Sequence, residues 1–443
     1  MSVRELYQLK VSSAAELSGG VERLVASGRL PAATRLPTVR ELAATLGLSP
    51  TTVAASYRSL AQRGVVRGDG RRGTFVAAGP PLPVATDRPL PAGVLDLRFG
   101  NPDGALMPSL RPHLRRLADV TKSYGEPATL PDLDAAACAQ LRADGIPADR
   151  VVALSGALDG VERVLLAWLR PGDRVAVEDP GFPRVFDLLA ALGLTAVPFA
   201  VDARGPVPES LRAALASGVD ACVVTPRAQN PTGAALDAAR ARRLRTLLRA
   251  HPEVLVVEDD HAGPVAGAPA QTLVTAKRAR WAVVRSVSKS LGPDLRVALV
   301  AGDATTLGRV EGRLRLGPGW VSHLLQRLVV DLWADAAVTA QLARATTIYR
   351  ARRTALVDAL GMHGIEVETP SGLNVWVPVP DEVSALRGLE DAGYAVAPGA
   401  RFRLASPPAV RVTVAALPER RASHVARALA TACAPARNRT AAS

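Results

Sequence analysis

The segment SVSKSLGPDLR, residues 286–296, overlaps the end of an apolar run, Ala282–Val287, which predicts a buried strand. Its lysine, Lys289, is one of four lysines in a chain with 54 Lys and Arg residues. Arginine stays protonated and cannot form a Schiff base, so a lysine at this position indicates amine chemistry. Ser286, Ser288 and Arg296 are suited to holding a phosphate beside it. The segment therefore predicts a carbonyl-reactive lysine next to a phosphate site.

Two further segments add the remaining requirements of one cofactor. VLVVEDDHAG, residues 254–263, is an apolar strand that ends in three acids, one of which can pair with a pyridinium nitrogen. VVALSGALDGVERVL, residues 151–165, is a strand, a small-residue turn and a helix, where the N–H groups of Gly156 and Ala157 can cradle a phosphate. A Schiff-base lysine, a ring carboxylate and a phosphate cradle together predict pyridoxal phosphate.

Short apolar runs alternate with helical patterns through the same part of the chain. Between several runs lie amphipathic stretches such as Leu236–Ala250. Buried strands with helical crossovers predict an α/β fold with a mostly parallel central sheet. The predicted strands are Val151–Leu154, Arg174–Glu178, Ala221–Pro226, Val254–Asp259, Ala282–Val287 and Arg296–Ala301.

Residues 95–430 resemble the fold-type-I, class I/II aminotransferases. The motifs occur in the family's order: FGNPDGALMP, SYGEPATLPDL, SGALDGVE, EDPGFP, TPRAQNPTG, VEDDHAG, SVSKSLGPDLR and AVRVTVAAL. The resemblance implies a mostly parallel sheet with a small C-terminal α+β subdomain. It also implies that Lys289 forms the Schiff base and that Asp259 pairs with the pyridine nitrogen.

Other site roles follow from the same resemblance. Phosphate binding is implied for Ser155, Gly156, Ala157, Ser286, Ser288 and Arg296. Asn230 would bond the ring hydroxyl and Phe182 would stack on the ring, while Arg411 and Arg184 would bind ligand carboxylates. Tyr124 would reach the phosphate of a partner subunit, which implies a homodimer.

One position departs from the aminotransferase pattern. His261 stands where these enzymes have a tyrosine that contacts the ring hydroxyl. A histidine can donate or accept a hydrogen bond, and its ordinary pKa is near neutrality. The substitution weakens the expectation of efficient transamination.

The first 79 residues predict a DNA-binding unit. TVRE at 38–41 fits a capping box that opens a helix through Leu46, and Gly47 is suited to ending it. In SPTTVAASYRSLAQRG, Ser49 can cap a second helix that begins at Pro50 and ends at Gly64. Leu42, Leu46, Val53 and Leu60 give an inward face. Two short helices joined by a glycine turn are typical of a helix-turn-helix.

VVRGDGRRGTFV then predicts a hairpin with strands Val65–Arg67 and Thr74–Val76. Residues 1–79 hold 11 Lys/Arg and 5 Asp/Glu, a net +6 of the chain's +13, which favours a polyanionic partner. Solvated surface charge in an arginine-rich chain is the alternative. Basic residues at the glycine-rich tip of the hairpin, Arg71 and Arg72, suit phosphate or minor-groove contact.

This part resembles the winged helix-turn-helix of the GntR family over nearly seventy residues, GRLPAATRLPTVRELAATLGLSPTTVAASYRSLAQRGVV and RGTFV. The resemblance implies DNA contacts by Arg40, Thr51, Thr52 and Gly70. Two glycines, Gly19 and Gly20, fall inside its expected first helix and cost about 2 kcal/mol relative to alanine. We expect that helix to be short or broken.

The domain plan follows from these segments. PPLPVATDRPLPAG at 80–93 has five prolines in fourteen positions and predicts a semi-rigid linker. We expect a winged helix-turn-helix at 1–78, a linker at 79–94, the pyridoxal-phosphate domain at 95–433 and a flexible tail at 434–443.

Several classes of protein are disfavoured. No apolar run reaches the ~18 to 20 residues of a membrane span, and the N-terminus lacks the apolar core of a signal peptide. Cys138, Cys222 and Cys433 are too scattered for a disulfide framework or a metal site, and we expect no metal. The expected location is the cytoplasm.

The combination resembles the MocR/GabR-like regulators. It implies a regulator that senses an amino acid, an amine or pyridoxal phosphate by aldimine exchange at Lys289. Its expected partners are operator DNA near its own or a neighbouring gene, a small amine effector and a second copy of the chain, with exchanged heads as one arrangement. An active aminotransferase with an accessory DNA-binding head, and a DNA-binding protein with an inert body, are the alternatives.

Overall fold

The computed structural model describes residues 3–27, 29–62, 65–68, 72–77, 90–91, 93–117 and 123–433. The chain divides into two compact units. The first comprises Met1–Asp87 with Leu169–Val175 and Arg184–Ala196, and the second comprises the remainder. Most of the predicted linker 79–94, the whole of the predicted tail 434–443, and the predicted DNA contacts Gly70 and Arg71 lie outside the described residues.

The N-terminal part contains a helix-turn-helix, with α1 (Ala14–Ala26), α2 (Val39–Leu46) and α3 (Pro50–Gln62). Thr38 and Glu41 form the predicted capping box, in which Glu41 Oε2 accepts from the Thr38 N–H at 2.8 Å. Gly47 ends α2 in the left-handed conformation, with φ +66°. The turn chemistry seen in the sequence therefore sets both ends of α2.

Helix α1 differs from what was expected of the first helix. It runs unbroken through Gly19 and Gly20, although two glycines predicted a short or broken helix. A Cβ built on Gly20 would lie 2.9 Å from Leu9 Cδ1, so the preceding segment packs directly on the helix backbone there. This close approach offsets the lower helix propensity of glycine.

A two-stranded antiparallel ribbon follows the helices. β1 (Val66–Gly68) begins one residue later than predicted, and β2 (Thr74–Val76) matches its predicted bounds. The helices and ribbon share one core of buried side chains, including Leu17, Leu42, Val53, Leu60 and Val76.

An eight-stranded sheet forms the centre of the larger part, in the order β4-β11-β10-β9-β8-β5-β6-β7. β9 is parallel to β8 and β10, whereas β11 is antiparallel to both of its neighbours. The predicted strands are present with ends shifted by up to two residues. The strands are β4 (Val151–Leu154), β5 (Arg174–Asp179), β6 (Thr195–Asp202), β7 (Gly205–Pro206), β8 (Ala221–Val224), β9 (Leu255–Asp260), β10 (Trp281–Ser286) and β11 (Ala298–Gly302).

Helices in this part include α6, which packs on the central strands. A Cβ on Gly160 would lie 2.7 Å from Val284 Cγ1, so glycine permits this close packing. None of the helices in the described ranges is long and apolar enough to cross a membrane. The helices are α4 (Arg111–Arg116), α5 (Pro131–Ala143), α6 (Ala157–Trp168), α7 (Pro183–Ala191), α8 (Pro208–Ala216), α9 (Ala238–Arg249), α10 (Ala304–Arg315), α11 (His323–Ala334) and α12 (Ala336–Gly361).

A smaller α+β subdomain completes the chain, as predicted. Its sheet has the order β12-β14-β13-β3 and is covered by α12, α13 and α14 around its own apolar core. The edge strand β3 (Leu95–Leu97) comes from before the large sheet in sequence. The other elements are β12 (Asn374–Pro378), α13 (Glu382–Asp391), β13 (Tyr394–Pro398), β14 (Ala409–Thr413) and α14 (Ala422–Cys433).

Candidate functional site

The carboxyl ends of β4, β9 and β10 meet at one edge of the large sheet. In the register, Asp259 lies opposite Val284 on β10, and Ser286 at the end of β10 lies opposite Ala298. Ala298 in turn lies opposite Leu154, the last residue of β4. Since ligands of open α/β sheets bind beyond the carboxyl ends of strands, this edge is the candidate site.

Lys289 lies in the turn after β10. Its Nζ donates a hydrogen bond to the backbone oxygen of Gly100. Burial, and then the charge of Arg411, lower the pKa of Lys289 to about 8. A larger fraction of the side chain is therefore the free amine at neutral pH than in an exposed lysine, and the free amine is the form that attacks a carbonyl.

Asp259 is buried at the end of β9. Its Oδ1 has no hydrogen-bond partner among the residues that the structure describes. Burial, and then the charge of Asp260, raise the pKa of Asp259 to about 7. A buried carboxylate oxygen without a donor is costly, and a pyridinium N–H is a group that would satisfy it.

Asp260, one residue further along, has the opposite environment. Arg227 donates to both of its oxygens at 2.9 Å, and Arg285 Nε donates to Oδ2 at 2.8 Å. Burial acts to raise the pKa of Asp260, but these two arginines outweigh it and lower that pKa to about 2. Asp144 pairs with the same two arginines. The cluster fixes the end of β9 between Asp259 and His261, and it is not among the features predicted from the sequence.

His261 donates from Nε2 to the backbone oxygen of Ala228 at 3.0 Å. A carbonyl oxygen can only accept, so Nε2 carries the hydrogen and Nδ1 of the neutral ring is an acceptor. Burial, and then the charge of Lys289, lower the pKa of His261 to about 4. At neutral pH this histidine therefore offers the site an acceptor, where a tyrosine offers a donor.

The residues predicted to bind a phosphate lie at the end of β4 and in the segment that follows β10. Arg296 Nη2 donates to the Ser155 oxygen at 2.8 Å. Gly156 has φ +105°, and a Cβ on it would lie 2.5 Å from the same guanidinium nitrogen. Ala157 begins α6, while Ser286 and Ser288 are joined by a hydroxyl–hydroxyl bond of 3.1 Å. The structure thus brings these predicted donors to one edge of the sheet.

Arg411 lies on β14 and is buried against Phe402, whose ring centroid is 4.6 Å from the guanidinium carbon. Its Nη1 donates to Asn230 Oδ1 at 3.0 Å and its Nη2 donates to the Arg98 oxygen. Its Nε is without a partner within the described ranges. Burial, and then Arg401, lower the pKa of Arg411 to about 9. The site therefore contains a fixed, incompletely satisfied cation that suits a carboxylate.

The remaining predicted site residues have fewer contacts that bear on their predicted roles. Phe182 is half-buried after β5, and Arg184 is exposed on α7. Tyr124 is 93% exposed, with its ring edge-on to Trp320 at 5.6 Å. Their roles stay predictions.

Arg40, Thr51 and Arg72 are exposed in the helix-turn-helix part, where a partner can reach them. Thr52 is half-buried and its N–H donates to Ser49 Oγ at 3.0 Å, which caps α3. No group of three or more metal-binding side chains occurs in the described part of the chain.

Three contributions were missed because they come from the backbone or from distant residues. The Gly100 oxygen holds Lys289, the Arg98 oxygen holds Arg411, and the Phe402 ring lies under the guanidinium. The FGNPDG motif carried a signal for the first two, since a glycine beside charged side chains indicates a close backbone approach.

Comparisons with known proteins agree with both parts of the chain. Residues 14–76 match the model of bacterial regulatory proteins of the gntR family, and residues 92–429 match the model of aminotransferase class I and II. The vitamin B6 salvage pathway transcriptional repressor PtsJ of Salmonella typhimurium is 40% identical over 91% of this chain and 95% of its own length.

The chain belongs to the MocR-type regulators. In this family a gntR-type helix-turn-helix precedes an aminotransferase class I and II domain, which confirms the resemblance stated from the sequence. The pyridoxine biosynthesis transcriptional regulator PdxR of Corynebacterium glutamicum is 28% identical over 78% of each chain.

Solved structures confirm the fold of this MocR-type chain. A kynurenine aminotransferase of Pyrococcus horikoshii superimposes with a TM-score of 0.70 at 21% identity, covering 77% of this chain and 91% of its own. A variant aspartate aminotransferase of Thermus thermophilus gives 0.69 at 23% identity, covering 78% and 99%. Pyridoxal phosphate is the cofactor of this fold, and the unpartnered Asp259 oxygen and the Gly156 cradle fit it.

Proposed function

We propose that this chain is a DNA-binding transcription regulator whose aminotransferase-like domain binds pyridoxal phosphate and responds to a ligand at Lys289. The observation that carries the proposal is that the half-buried Lys289, whose amine donates to the Gly100 oxygen, lies in a site that also offers an unpartnered Asp259 oxygen. A helix-turn-helix in the same chain gives this chemistry a regulatory output.

Pyridoxal phosphate, when bound, supplies an aldehyde that reacts reversibly with amines and a ring that withdraws electrons. Lys289 would hold it covalently and Asp259 would hold the ring nitrogen protonated. Phosphate donors would be Ser155, Gly156, Ala157, Ser286, Ser288 and Arg296. Asn230 has its oxygen engaged by Arg411, so its amide N–H groups are the side available to the ring hydroxyl. His261 offers that region an acceptor, and Phe182 would stack on the ring.

Arg411 would bind the carboxylate of an amino-acid ligand, with Arg184 as a second candidate. The ligand carboxylate can accept from the unpartnered Nε of Arg411, and it competes with Asn230 and the Arg98 oxygen for the two Nη groups. Ligand binding is therefore coupled to movement of Arg411 relative to Asn230 and the Arg98 backbone, to which it now bonds. The ligand then binds the two arrangements of Arg411 unequally, as a switch requires.

The DNA-binding part would place α3 in the major groove, with Thr51 and Thr52 near base edges. Arg40, Arg72 and, outside the described residues, Gly70 and Arg71 would contact the backbone or the minor groove. Operator DNA near its own or a neighbouring gene is the proposed target, in the cytoplasm.

For the effector we favour a form of vitamin B6, pyridoxal phosphate itself, over amines and amino acids. The similar proteins PtsJ and PdxR are named for vitamin B6 salvage and pyridoxine biosynthesis. The proposal also includes a homodimer, with exchanged heads as one arrangement, because the exposed Tyr124 can serve a neighbouring subunit's phosphate.

Nuclease protection of the intergenic DNA beside the protein's own gene tests this function. We expect protected direct or inverted repeats whose pattern changes when pyridoxal phosphate is added, with or without an amino acid. Absence of protection in every flanking region would overturn the regulator proposal.

An active aminotransferase is the second candidate, because Lys289, Asp259 and Arg411 are the groups that a transamination half-reaction needs. The free amine of Lys289 could move the proton at the substrate's α-carbon, since its pKa lies near 8. Repeated turnover to keto acid at ordinary rates would favour this candidate over a pure sensor.

A further inference from the structure

The backbone segment Arg98–Asp103 holds both ligand-binding side chains of the site. Lys289 Nζ donates to the Gly100 oxygen, and Arg411 Nη2 donates to the Arg98 oxygen. Hydrogen bonds from cationic donors are the stronger kind. Two carbonyls only two residues apart therefore fix the amine and the guanidinium that the proposed function assigns to the ligand.

Asp103 anchors the far end of this segment to α12. Its backbone N–H donates to the Tyr349 hydroxyl at 3.0 Å, and its Oδ2 accepts from Arg352 Nη1 at 2.9 Å. Tyr349 is buried, and Gln341 on the same helix donates to the Met107 oxygen at 2.7 Å. The segment is thus fixed to a long helix just beyond Gly100.

The near end of the segment is held by strand pairing and by the buried Leu97 side chain. It continues back into β3, an edge strand of three residues that pairs only with β13 in the small sheet. In sequence, β3 is preceded by the proline-rich stretch 80–93 and then by the helix-turn-helix. A short edge strand opens at lower cost than a central one.

We propose that Asp103 is a positioning residue for Lys289 and Arg411, and that the segment it anchors registers whether these two side chains are engaged by a ligand. Condensation of the Lys289 amine with an aldehyde forms one C=N bond, releases one water and leaves the nitrogen with at most one hydrogen. A carboxylate on Arg411 competes with the Arg98 oxygen. Both events act on donors that bond to this segment.

The transmission of ligand binding from this segment to DNA rests on the proposed function, whereas the positioning of Lys289 by the segment does not. After both bonds are lost, the segment remains fixed through Asp103 at one end and through the short strand β3 at the other. In sequence, the β3 end leads toward the DNA-binding part of the chain, so a shift of this end is the movement that would affect DNA binding.

The amine of Lys289 can be followed directly, since only Lys10, Lys122 and Lys277 compete with it for labelling. The test uses full-length protein without added cofactor, brief reductive methylation with formaldehyde and dimethylamine–borane, and mass spectrometry of each lysine. In Asp103→Asn we expect Lys289 to be labelled roughly two- to tenfold faster, the effect of weakening one hydrogen bond. Labelling of Lys277 should not change.

Asp132→Asn is the matched control, because Asp132 is an exposed aspartate paired with Arg327 at 3.2 Å. It should leave Lys289 labelling at the wild-type rate. Arg352→Gln should also raise the labelling rate of Lys289. The rate in the double variant Asp103→Asn/Arg352→Gln should be no higher than in the faster of the two single variants, because both substitutions weaken the same contact.

An unchanged Lys289 rate in Asp103→Asn would overturn the proposal. A rise shared equally by Lys277, with a lower melting temperature, would also overturn it, because that result indicates general loosening. A selective rise in Lys289 labelling supports it even where pyridoxal phosphate has no effect on DNA binding, an outcome that would count against the regulator function alone.

Discussion

Arg296 and Ser155 are joined by a hydrogen bond from the arginine Nη2 to the serine backbone oxygen, 2.8 Å long. The bond sets the guanidinium directly over Gly156, where a Cβ would lie 2.5 Å from it. Two turns that follow different strands are thereby joined at the place where the proposed phosphate site requires N–H donors. The absence of a side chain at Gly156 is a condition of that arrangement.

Gly156→Ala should weaken cofactor binding. Its φ of +105° is unfavourable for alanine, at a cost of about 1–3 kcal/mol, and the added methyl displaces Arg296. We expect the Kd for pyridoxal phosphate, measured by absorbance or fluorescence titration, to rise tenfold or more. Gly308→Ala in α10, where nothing lies within 4 Å of the added carbon, should bind normally. Wild-type affinity in Gly156→Ala would contradict the assignment of Gly156 to the phosphate site.

Asp259→Asn should change the pH dependence of stability. Burial and Asp260 raise the Asp259 pKa from 3.8 to about 7 in the folded protein, so the folded state keeps a proton that the unfolded chain loses. This carboxyl therefore subtracts from stability increasingly between about pH 4 and pH 7, and fully above that. Without cofactor, Asp259→Asn should melt higher than wild type at pH 8, and the difference should shrink toward pH 5.

Glu178 and Glu258 do not obscure this comparison, although burial raises the pKa of each to about 7 as well. They remain in both proteins, so the difference between the melting curves reports Asp259 together with its charge interaction with Glu178, which acts in the same direction. Saturating pyridoxal phosphate should reverse the order at pH 8, since only the carboxylate gains a pyridinium partner. Equal differences at pH 5 and pH 8 would contradict the assignment.

His261→Tyr should increase transamination. The N–H of the neutral histidine donates to the Ala228 oxygen, so Nδ1 can only accept, whereas a tyrosine hydroxyl can donate. We expect about tenfold more keto acid per unit time from a panel of amino acids, which corresponds to one additional hydrogen bond of about 1.4 kcal/mol. His363→Tyr, at an exposed position, is the control. If both variants match wild type, His261 is not what limits turnover.

Thr51→Val should reduce DNA binding with little change in salt dependence. The exposed hydroxyl at the start of α3 is removed without loss of charge, and one base contact contributes about 1–3 kcal/mol. Arg72→Ala should instead lower the salt slope by about one unit. Fluorescence anisotropy on the protected DNA measures both, with Thr45→Val on α2 as the control. A loss of affinity in Thr45→Val equal to that in Thr51→Val would indicate a folding defect.

The sequence predicted those features that depend on local chemistry. The capping box at Thr38 and Glu41 and the left-handed Gly47 follow from residues close in the chain, as do the two buried strands β9 and β10, whose predicted ends differ by one residue from those observed. The first helix was misjudged because the packing of Leu9 on Gly20 is a tertiary contact that propensity does not include.

Parts of the site depend on pairings between distant residues, which a single sequence does not show. The Asp260 cluster joins residues from four separate segments, and β3 joins a sheet whose other strands begin at Asn374. The direction of the His261 hydrogen bond is set by Ala228, 33 residues away. The partners of these residues are evident only in the folded structure.

The most direct test of the account is the affinity of the full-length protein for the DNA beside its own gene, with and without pyridoxal phosphate, in wild type and Lys289→Arg. Arginine keeps the positive charge and cannot form the Schiff base. We predict that pyridoxal phosphate changes the wild-type Kd by about fivefold or more and leaves that of Lys289→Arg unchanged. An equal change in both proteins, or no change in either, would contradict the claim that Lys289 couples the ligand to DNA.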